Sequence, residues 1–156
     1  MNYKHSVYLC GPMNGLTVQQ AKNGWRKMAT DLLTELGIEA LCPVRDHLAH
    51  LPEDHVLGGT GESQDPESMI AGRFNFRRDK SDVRRCSALL AVFIDTTRVS
   101  LGSVSEIAWA DLLSIPIVVV RCNDIYHDHL FVNEAASAIT DDLERGVSLI
   151  GSLLNA

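Results

Sequence analysis

Apolar residues along this chain fall into short continuous runs that alternate with segments of helical periodicity. Short apolar runs bounded by turn-forming residues are typical of buried strands. Here Gly11-Pro12 ends the first run and Pro43 ends the second. Four runs are predicted to be strands: Ser6–Cys10, Ile38–Cys42, Ala88–Ile94 and Ile115–Val120. The patch Ala138–Thr140 is a candidate fifth, shorter strand.

Between the first two runs, apolar residues recur three or four positions apart, which predicts a helix from Val18 to Leu33. Thr17 and Gln20 form a capping-box pattern at its start, and Gly37 follows it as a C′ glycine. Further helices are predicted around Arg77–Cys86, from Ser103 onward, and over Asp141–Leu154.

The periodicity is lost between about Val44 and Ile70, where glycine, proline, serine and acidic residues accumulate. Irregular segments of this length in a compact domain are usually lids, binding loops or disorder. We therefore expect a single domain over residues 1–156 with a long irregular loop at about 44–70.

Continuous apolar strands separated by helices predict an α/β fold, with a parallel sheet covered by helices on both faces. Ligands of such sheets bind beyond the carboxyl ends of the strands. Two segments occupy that position: the 11-GPMNG-15 turn and the 95-DTTRVSLGS-103 loop.

Composition narrows the class of partner. The 156 residues are 46% hydrophobic, with a net charge of −6, which argues against a nucleic-acid polymer. No apolar run reaches the ~18 residues of a membrane span, and the N-terminal run is too short for a signal peptide. The scattered cysteines form no CxxC pair, so we expect free thiols and a cytoplasmic protein without membrane contact.

Ser103 and Glu106 allow two interpretations of the second loop. Their spacing before an apolar run is that of a capping box, in which Glu106 would simply begin a helix. The same position is at the carboxyl end of a strand, where a carboxylate can face a substrate. The two roles are compatible.

Five segments form a combination that is more specific than any one of them: 8-YLCGPMNG-15, 24-GWRKMATDLLTELGIEALCP-43, 78-RDKSDVRRCSALLAVF-93, 98-RVSLGSVSEIAWAD-111 and 114-SIPIVVV-120. Together they resemble the nucleoside 2-deoxyribosyltransferase family, which includes the 2′-deoxynucleoside 5′-monophosphate N-hydrolases. They follow the order of the family and cover most of the chain outside the long loop. The resemblance implies a flavodoxin-like (Rossmann-like) five-stranded sheet and cleavage of an N-glycosidic bond.

The resemblance also implies roles for single residues. Glu106 matches the nucleophile that takes the deoxyribosyl group, and Tyr8 matches a tyrosine that hydrogen-bonds this carboxylate. Asp79 matches an aspartate of the substrate pocket, as the proton donor to the base or as a group that positions the substrate. A nucleophilic carboxylate must be ionised, and the first turn of a helix favours the ionised form.

The residue six positions before Glu106 bears on the substrate. The transferases of the family carry an acidic residue there, whereas this chain has Ser100, as do hydrolases in which the serine contacts a 5′-phosphate. Gly102 and Ser103 join Ser100 as candidate substrate-binding residues, together with Gly11, Pro12 and Met13. Our first hypothesis is deoxyribosyl transfer between bases. The alternatives are hydrolysis of 5′-monophosphates and a non-catalytic nucleotide-binding or sensor module.

No cofactor is expected, and a metal site is not favoured. His127 and His129 do not match a known ligand spacing, even with His47, His50 and His55 from the long loop. Arg78 and Asp82 are four residues apart, which is typical of a solvated salt-bridged helix face.

The helix after Ser103 is apolar around most of its circumference, which indicates burial on more than one side. In so small a chain this predicts a subunit interface. The family resemblance implies the same, a homo-oligomer in which a neighbouring subunit completes each site. The expected small-molecule partners are a nucleoside or nucleotide and a free nucleobase.

Overall fold

The computed structural model describes residues 3–45, 51–57 and 66–155. Five strands form one parallel sheet in the order β2-β1-β3-β4-β5. The strands are β1 His5–Cys10, β2 Ile38–Leu41, β3 Ala88–Ile94, β4 Ile117–Cys122 and β5 Ala138–Thr140. The helices are α1 Val18–Asn23, α2 Trp25–Glu35, α3 Pro66–Arg85, α4 Leu101–Leu112, α5 Leu130–Ala135 and α6 Leu143–Asn155. This is the flavodoxin-like strand order, so the predicted fold class is confirmed.

The sheet separates two hydrophobic layers. Because side chains alternate along a strand, Val7 and Leu9 of β1 pack with α2 and α6. Tyr8 and Cys10 point to the opposite layer, which contains residues of α3, α4 and α5. The alternation of β1 therefore places Tyr8 and Cys10 on the side of the sheet that carries Glu106.

The first helical segment is divided in two. The predicted Thr17–Gln20 capping box is present, but α1 ends at Asn23 and α2 begins at Trp25, with Gly24 between them. Glycine is the weakest helix former after proline, so a break there costs little. Gly37 has φ +71°, as a C′ glycine requires.

Helix α3 corrects the predicted boundary of the long loop. It begins at Pro66, so residues 66–70 are helical and the helix starts well before the predicted Arg77. Proline is well tolerated in the first turn of a helix, which explains a start at this residue. Within the loop, residues 46–50 and 58–65 lie outside the described residues.

Helix α4 corrects the predicted start at Ser103. The helix begins at Leu101, and the N-cap is Ser100, whose side chain accepts a hydrogen bond from the backbone N–H of Ser103. Glu106 is therefore in the second turn and is not the acidic member of a capping box. Both serines suit a cap, and the local pattern selected the wrong one.

The other elements differ less from expectation. Strand β4 is shifted by two residues, to Ile117–Cys122, and helix α5 was not predicted. The four cysteines are free thiols, as expected. Within the described ranges, no helix is long and apolar enough to cross a membrane.

Candidate active site

A cavity of about 440 Å³ opens at the carboxyl ends of β1 and β3. This is the topological switch point of the sheet, where connections leave in opposite directions and ligands of such folds bind. Its wall contains Glu106 and every residue predicted to bind substrate: Gly11, Pro12, Met13, Ser100, Gly102 and Ser103. Asn14, Pro43, Leu57, Asn75, Arg98, Val99 and Leu101 complete the lining.

Gly11 allows the chain to turn closely out of β1. A Cβ atom at this position would lie 2.6 Å from the Trp25 ring and 2.7 Å from the carbonyl oxygen of Val92. The path of the chain from β1 into the 11-GPMNG-15 turn therefore requires glycine at position 11.

Glu106 lines the cavity, whereas its partner Tyr8 is fully buried and is not part of the lining. The Tyr8 hydroxyl donates a hydrogen bond of 2.9 Å to Glu106 Oε1. Burial raises the pKa of Tyr8, and the charges of Glu106 and Asp79 raise it further, so the hydroxyl keeps its proton. Tyr8 can therefore orient the carboxylate without competing with it as a base.

The electrostatics of Glu106 differ from expectation. Burial raises the pKa of this carboxyl to about 7, against the lowering effect of the neighbouring Cys10 side chain and of the hydrogen bond from Tyr8. The charge of Asp79 raises the pKa further and that of Arg26 lowers it. The helix dipole acts mainly within the first turn, so it does little for a residue in the second. The expected stabilisation of the anion by the helix start is therefore wrong.

Arg26 is a neighbour that sequence reasoning missed. Its side chain is buried below the turn after β1 and donates hydrogen bonds to the carbonyl oxygens of Gly11 (2.7 Å) and Pro12 (3.3 Å). The guanidinium also lies 4.3 Å from the Trp25 ring centroid. Arginine is rarely buried, and helical periodicity places it on the surface by default.

Cys10 is a second neighbour without a sequence signal beyond its place at the end of β1. The thiol is fully buried and contacts the carbonyl oxygen of Ser103 at 3.5 Å. Burial raises the pKa of Cys10 well above its ordinary value, and the charge of Glu106 adds to this. Cys10 therefore keeps its single proton, and the carbonyl oxygen of Ser103 is the hydrogen-bond acceptor.

Asp79 lies on α3, close enough for its charge to act on both Tyr8 and Glu106. Its Oδ1 accepts hydrogen bonds from Arg78 Nη2 at 2.9 Å and Nε at 3.2 Å. Asn75, one helical turn earlier, lines the cavity.

Asp82 is buried and pairs with Arg45 and Arg85, so the predicted solvated face is wrong for this residue.

The start of α4 forms another wall. The hydroxyls of Ser100 and Ser103 are 2.9 Å apart, and Arg98 donates to the carbonyl oxygen of Asn14 across the cavity mouth. Hydroxyl, guanidinium and helix N–H groups are donors that suit an anion.

Part of the long loop reaches the same cavity. Residues 51–57 pair with the segment after the first turn, where the backbones of Gly15 and Leu16 exchange hydrogen bonds with Leu57. Leu57 also lines the cavity. The described part of the loop therefore forms one side of the site.

The histidines do not assemble a metal site in the described part of the chain. No group of three or more His, Cys, Asp or Glu side chains is placed to hold an ion among those residues. His127 is buried and pairs with Asp124, while His47 and His50 lie outside the described residues.

Fold and cavity together define a doubly wound α/β protein with a buried carboxylate at the switch point. No protein-family model matches the chain. No curated protein matches it by sequence.

Solved structures do resemble it. A 2-deoxyribosyltransferase from Bacillus psychrosaccharolyticus superposes with a TM-score of 0.64 and 17% identity, over 90% of this chain and 88% of that one. A CMP N-glycosidase from Clostridium botulinum gives 0.51 and 14%, over 93% and 97%. A molybdenum cofactor binding protein from Rippkaea orientalis gives 0.59 and 16%, over 99% of both chains. At these identities the likeness establishes a shared fold.

Proposed function

We propose that this protein is an enzyme that cleaves the N-glycosidic bond of 2′-deoxynucleosides through Glu106 and passes the deoxyribosyl group to another base. The observation that carries this proposal is the 2.9 Å hydrogen bond from the buried Tyr8 to Glu106, which lines a cavity at the switch point. The transferase and the N-glycosidase that share the fold act on the same class of bond, which supports the proposal.

In the first step, a carboxylate oxygen of Glu106 attacks C1′ of the sugar as the bond from C1′ to the base nitrogen breaks. The base leaves with the electron pair and takes up a proton, and the sugar becomes esterified to Glu106 through an oxocarbenium-like transition state. In the second step, a nitrogen of another base attacks C1′, loses its proton, and releases the carboxylate.

The surroundings of Glu106 suit this chemistry. A carboxylate largely removed from water interacts more strongly with a developing positive charge at the sugar. The hydrogen bond from Tyr8 holds the carboxylate in one orientation. The raised pKa of about 7 means that the nucleophile is half ionised near neutral pH.

Asp79 is assigned to the substrate side of the reaction. Its Oδ1 accepts two hydrogen bonds from Arg78, which fixes the orientation of the carboxyl group. From α3 it can position the sugar or the base, or donate a proton to the leaving base.

Hydrolysis of 2′-deoxynucleoside 5′-monophosphates is a second candidate, favoured by one specific observation. Ser100, Ser103 and Arg98 lie together on the cavity wall, at the N-terminus of α4. These groups can hold a 5′-phosphate, and water would then replace the second base as acceptor.

A non-catalytic binding module is the third candidate, and the same fold in a molybdenum cofactor binding protein shows that the scaffold is compatible with binding. The buried, hydrogen-bonded carboxylate distinguishes the two classes. A carboxylate in contact with Tyr8 and close to Asp79 is costly to bury, which favours a catalytic role.

We also propose that the protein is a homo-oligomer, with α4 at the interface. Leu101 and Leu112 of α4 are 78% and 83% exposed, and large apolar side chains of the flanking helices α3 and α5 are exposed as well: Phe74, Phe76, Leu130 and Phe131. Exposed apolar patches of this kind mark interaction surfaces. Leu101 also lines the cavity, so a second copy bound here would lie next to the site.

One experiment separates the three functions. The protein is incubated with the 2′-deoxynucleosides and with their 5′-monophosphates, with and without a second free base, and the products are resolved by chromatography. A new nucleoside that forms only with added base supports transfer, and free base from monophosphates alone supports the hydrolase. Thermal stabilisation by these ligands without turnover of any of them would overturn both enzyme functions.

A further inference from the structure

A buried polar cluster lies directly behind the cavity wall, on the loop after β4. The side chains of His127 and Asp124 are fully buried, and the imidazole stacks on Phe93 of β3 with ring centroids 3.8 Å apart. None of the catalytic steps above uses either residue.

The hydrogen bonds determine where the protons of this cluster are. The backbone N–H of Ser100 donates to His127 Nε2 at 2.9 Å, so Nε2 must be an unprotonated acceptor. His127 Nδ1 lies 3.1 and 3.2 Å from the two oxygens of Asp124, which makes it the N–H donor. The imidazole is therefore neutral, with its proton on Nδ1.

Asp124 is held as an acceptor by several donors. Besides His127 Nδ1, the Thr96 hydroxyl and the backbone N–H groups of Tyr126 and His127 donate to its carboxylate. Burial opposes ionisation, the hydrogen bonds from Thr96, His127 and the backbone of Tyr126 favour it, and the net effect is a lowered pKa of Asp124. A charged Asp124 fixes the tautomer and orientation of the ring.

The cluster therefore ties together the loops that follow β3 and β4. Thr96 and Ser100 belong to the loop between β3 and α4, while Asp124 and His127 follow β4. Ser100 is both the N-cap of α4 and part of the cavity wall. The backbone N–H of an N-cap residue needs a partner outside the helix, and His127 supplies it.

We propose that His127 is a positioning residue that fixes the backbone of Ser100, and with it the part of the cavity wall that receives the 5′ end of the substrate. Asp124 keeps the ring in the tautomer that this requires. The kinetic consequence rests on the proposed function, whereas the hydrogen bond itself does not.

The first test needs no substrate and no variant. In protein labelled with ¹⁵N histidine at pH 7.5, we expect His127 to show a protonated Nδ1 and an unprotonated Nε2. The backbone amide of Ser100 should exchange slowly with solvent deuterium. Protonation of Nε2, or rapid exchange at Ser100, would overturn the assignment.

Two variants then separate the two hydrogen bonds of the His127 imidazole, one with Ser100 and one with Asp124. In His127→Gln, the side-chain oxygen reaches the place of Nε2 and can accept from Ser100, whereas His127→Asn keeps a donor near Asp124 but no acceptor for Ser100. Thermal unfolding is recorded for both, because each loses the stacking on Phe93.

We expect Ser100 exchange to be at least about tenfold faster in His127→Asn, and close to the wild-type rate in His127→Gln. For 5′-monophosphates, KM should rise about tenfold in His127→Asn with little change in kcat, and the Gln variant should restore it. Equal Ser100 exchange in wild type and His127→Asn would overturn the proposal. So would an unchanged KM for nucleosides and monophosphates in that variant. Absence of turnover in the wild-type protein would refute the proposed function and leave the exchange test standing.

Discussion

Tyr8 and Glu106 are 98 residues apart in the chain, and a hydrogen bond of 2.9 Å joins them at the end of the sheet. Strand β1 directs Tyr8 into the layer that contains α4, and α4 presents Glu106 to the cavity. The pair is thus a product of strand alternation in β1 and of the parallel pairing of β1 with β3, the strand that precedes α4.

Replacement of the carboxylate tests the nucleophile. Glu106→Gln should reduce kcat by at least about a thousandfold, because an amide cannot form the glycosyl ester, while the fold is kept. Tyr8 can still donate to the amide oxygen. Steady-state rates and circular dichroism measure the two properties, with Glu35→Gln, an exposed residue of α2, as the matched control. Comparable rates in both variants would refute the assignment.

The raised pKa of Glu106 predicts how activity depends on pH. Below about pH 7 the carboxyl is mostly protonated and cannot attack, so kcat/KM should rise with pH through a pKa near 7. A profile measured from pH 5 to 9 checks this. A rate already at its plateau at pH 5 would contradict it.

The same pKa has a consequence for stability. The folded state binds this proton more tightly than the unfolded state, in which the ordinary value is 4.5. Ionisation of Glu106 therefore costs stability as the pH rises from about 4.5 through 7, and the cost is fully present above 7. Glu106→Gln should be more stable than wild type at pH 8, by roughly 3 kcal/mol, and should gain little at pH 4. Chemical denaturation at both pH values measures this, and an equal gain at the two would contradict it.

Removal of the tyrosine hydroxyl should affect both rate and pH profile. A hydrogen bond to a charged group contributes ~1.5–3 kcal/mol, so Tyr8→Phe should lower kcat about 10- to 100-fold. The pKa seen in the profile should move upward, because the anion loses a donor. Tyr126→Phe, at an exposed position, is the control. A lowered rate with an unmoved pKa would assign Tyr8 to packing alone.

Sequence patterns predicted the strands well where the apolar run is continuous. The bounds of β3 and β5 are as expected, and the run 88-ALLAVFI-94 forms a strand that is buried except at Ile94. Predictions failed where two residues satisfy the same local rule. Ser100 and Ser103 both suit an N-cap, and the structure shows Ser100 as the cap, with its side chain accepting from the Ser103 N–H and its own N–H bonded to His127.

The candidate site was predicted in part. The backbone segments that line the cavity follow from strand order, and Gly11 and Ser100 lie where expected. The burial of Glu106 and its raised pKa could not be predicted from the sequence, because burial depends on how the layers pack against one another. Arg26 and Cys10 act on Glu106 through space, and helical or strand periodicity carries no signal for such contacts.

Replacement of Arg26 tests its predicted effect on the pKa of Glu106. Arg26→Met removes a positive charge near Glu106 and leaves the carbonyl oxygens of Gly11 and Pro12 without this donor. We expect a loss of stability of about 1–3 kcal/mol and an upward shift of the activity pKa. Arg26→Lys keeps a charge but not the planar guanidinium, so it should restore the pKa better than the stability. An unmoved pKa in both variants would limit Arg26 to a structural role.

The exposed face of α4 leads to the final prediction. If a second copy covers Leu112, then Leu112→Glu places a charge in the interface and should convert the protein to monomers, as measured by sedimentation velocity. Because Leu101 of the same helix lines the cavity, loss of the neighbour should also lower kcat/KM. Met28→Glu, at an exposed apolar position on α2 in the opposite layer, should leave both unchanged. A wild-type protein that sediments as a monomer with full activity would refute the interface.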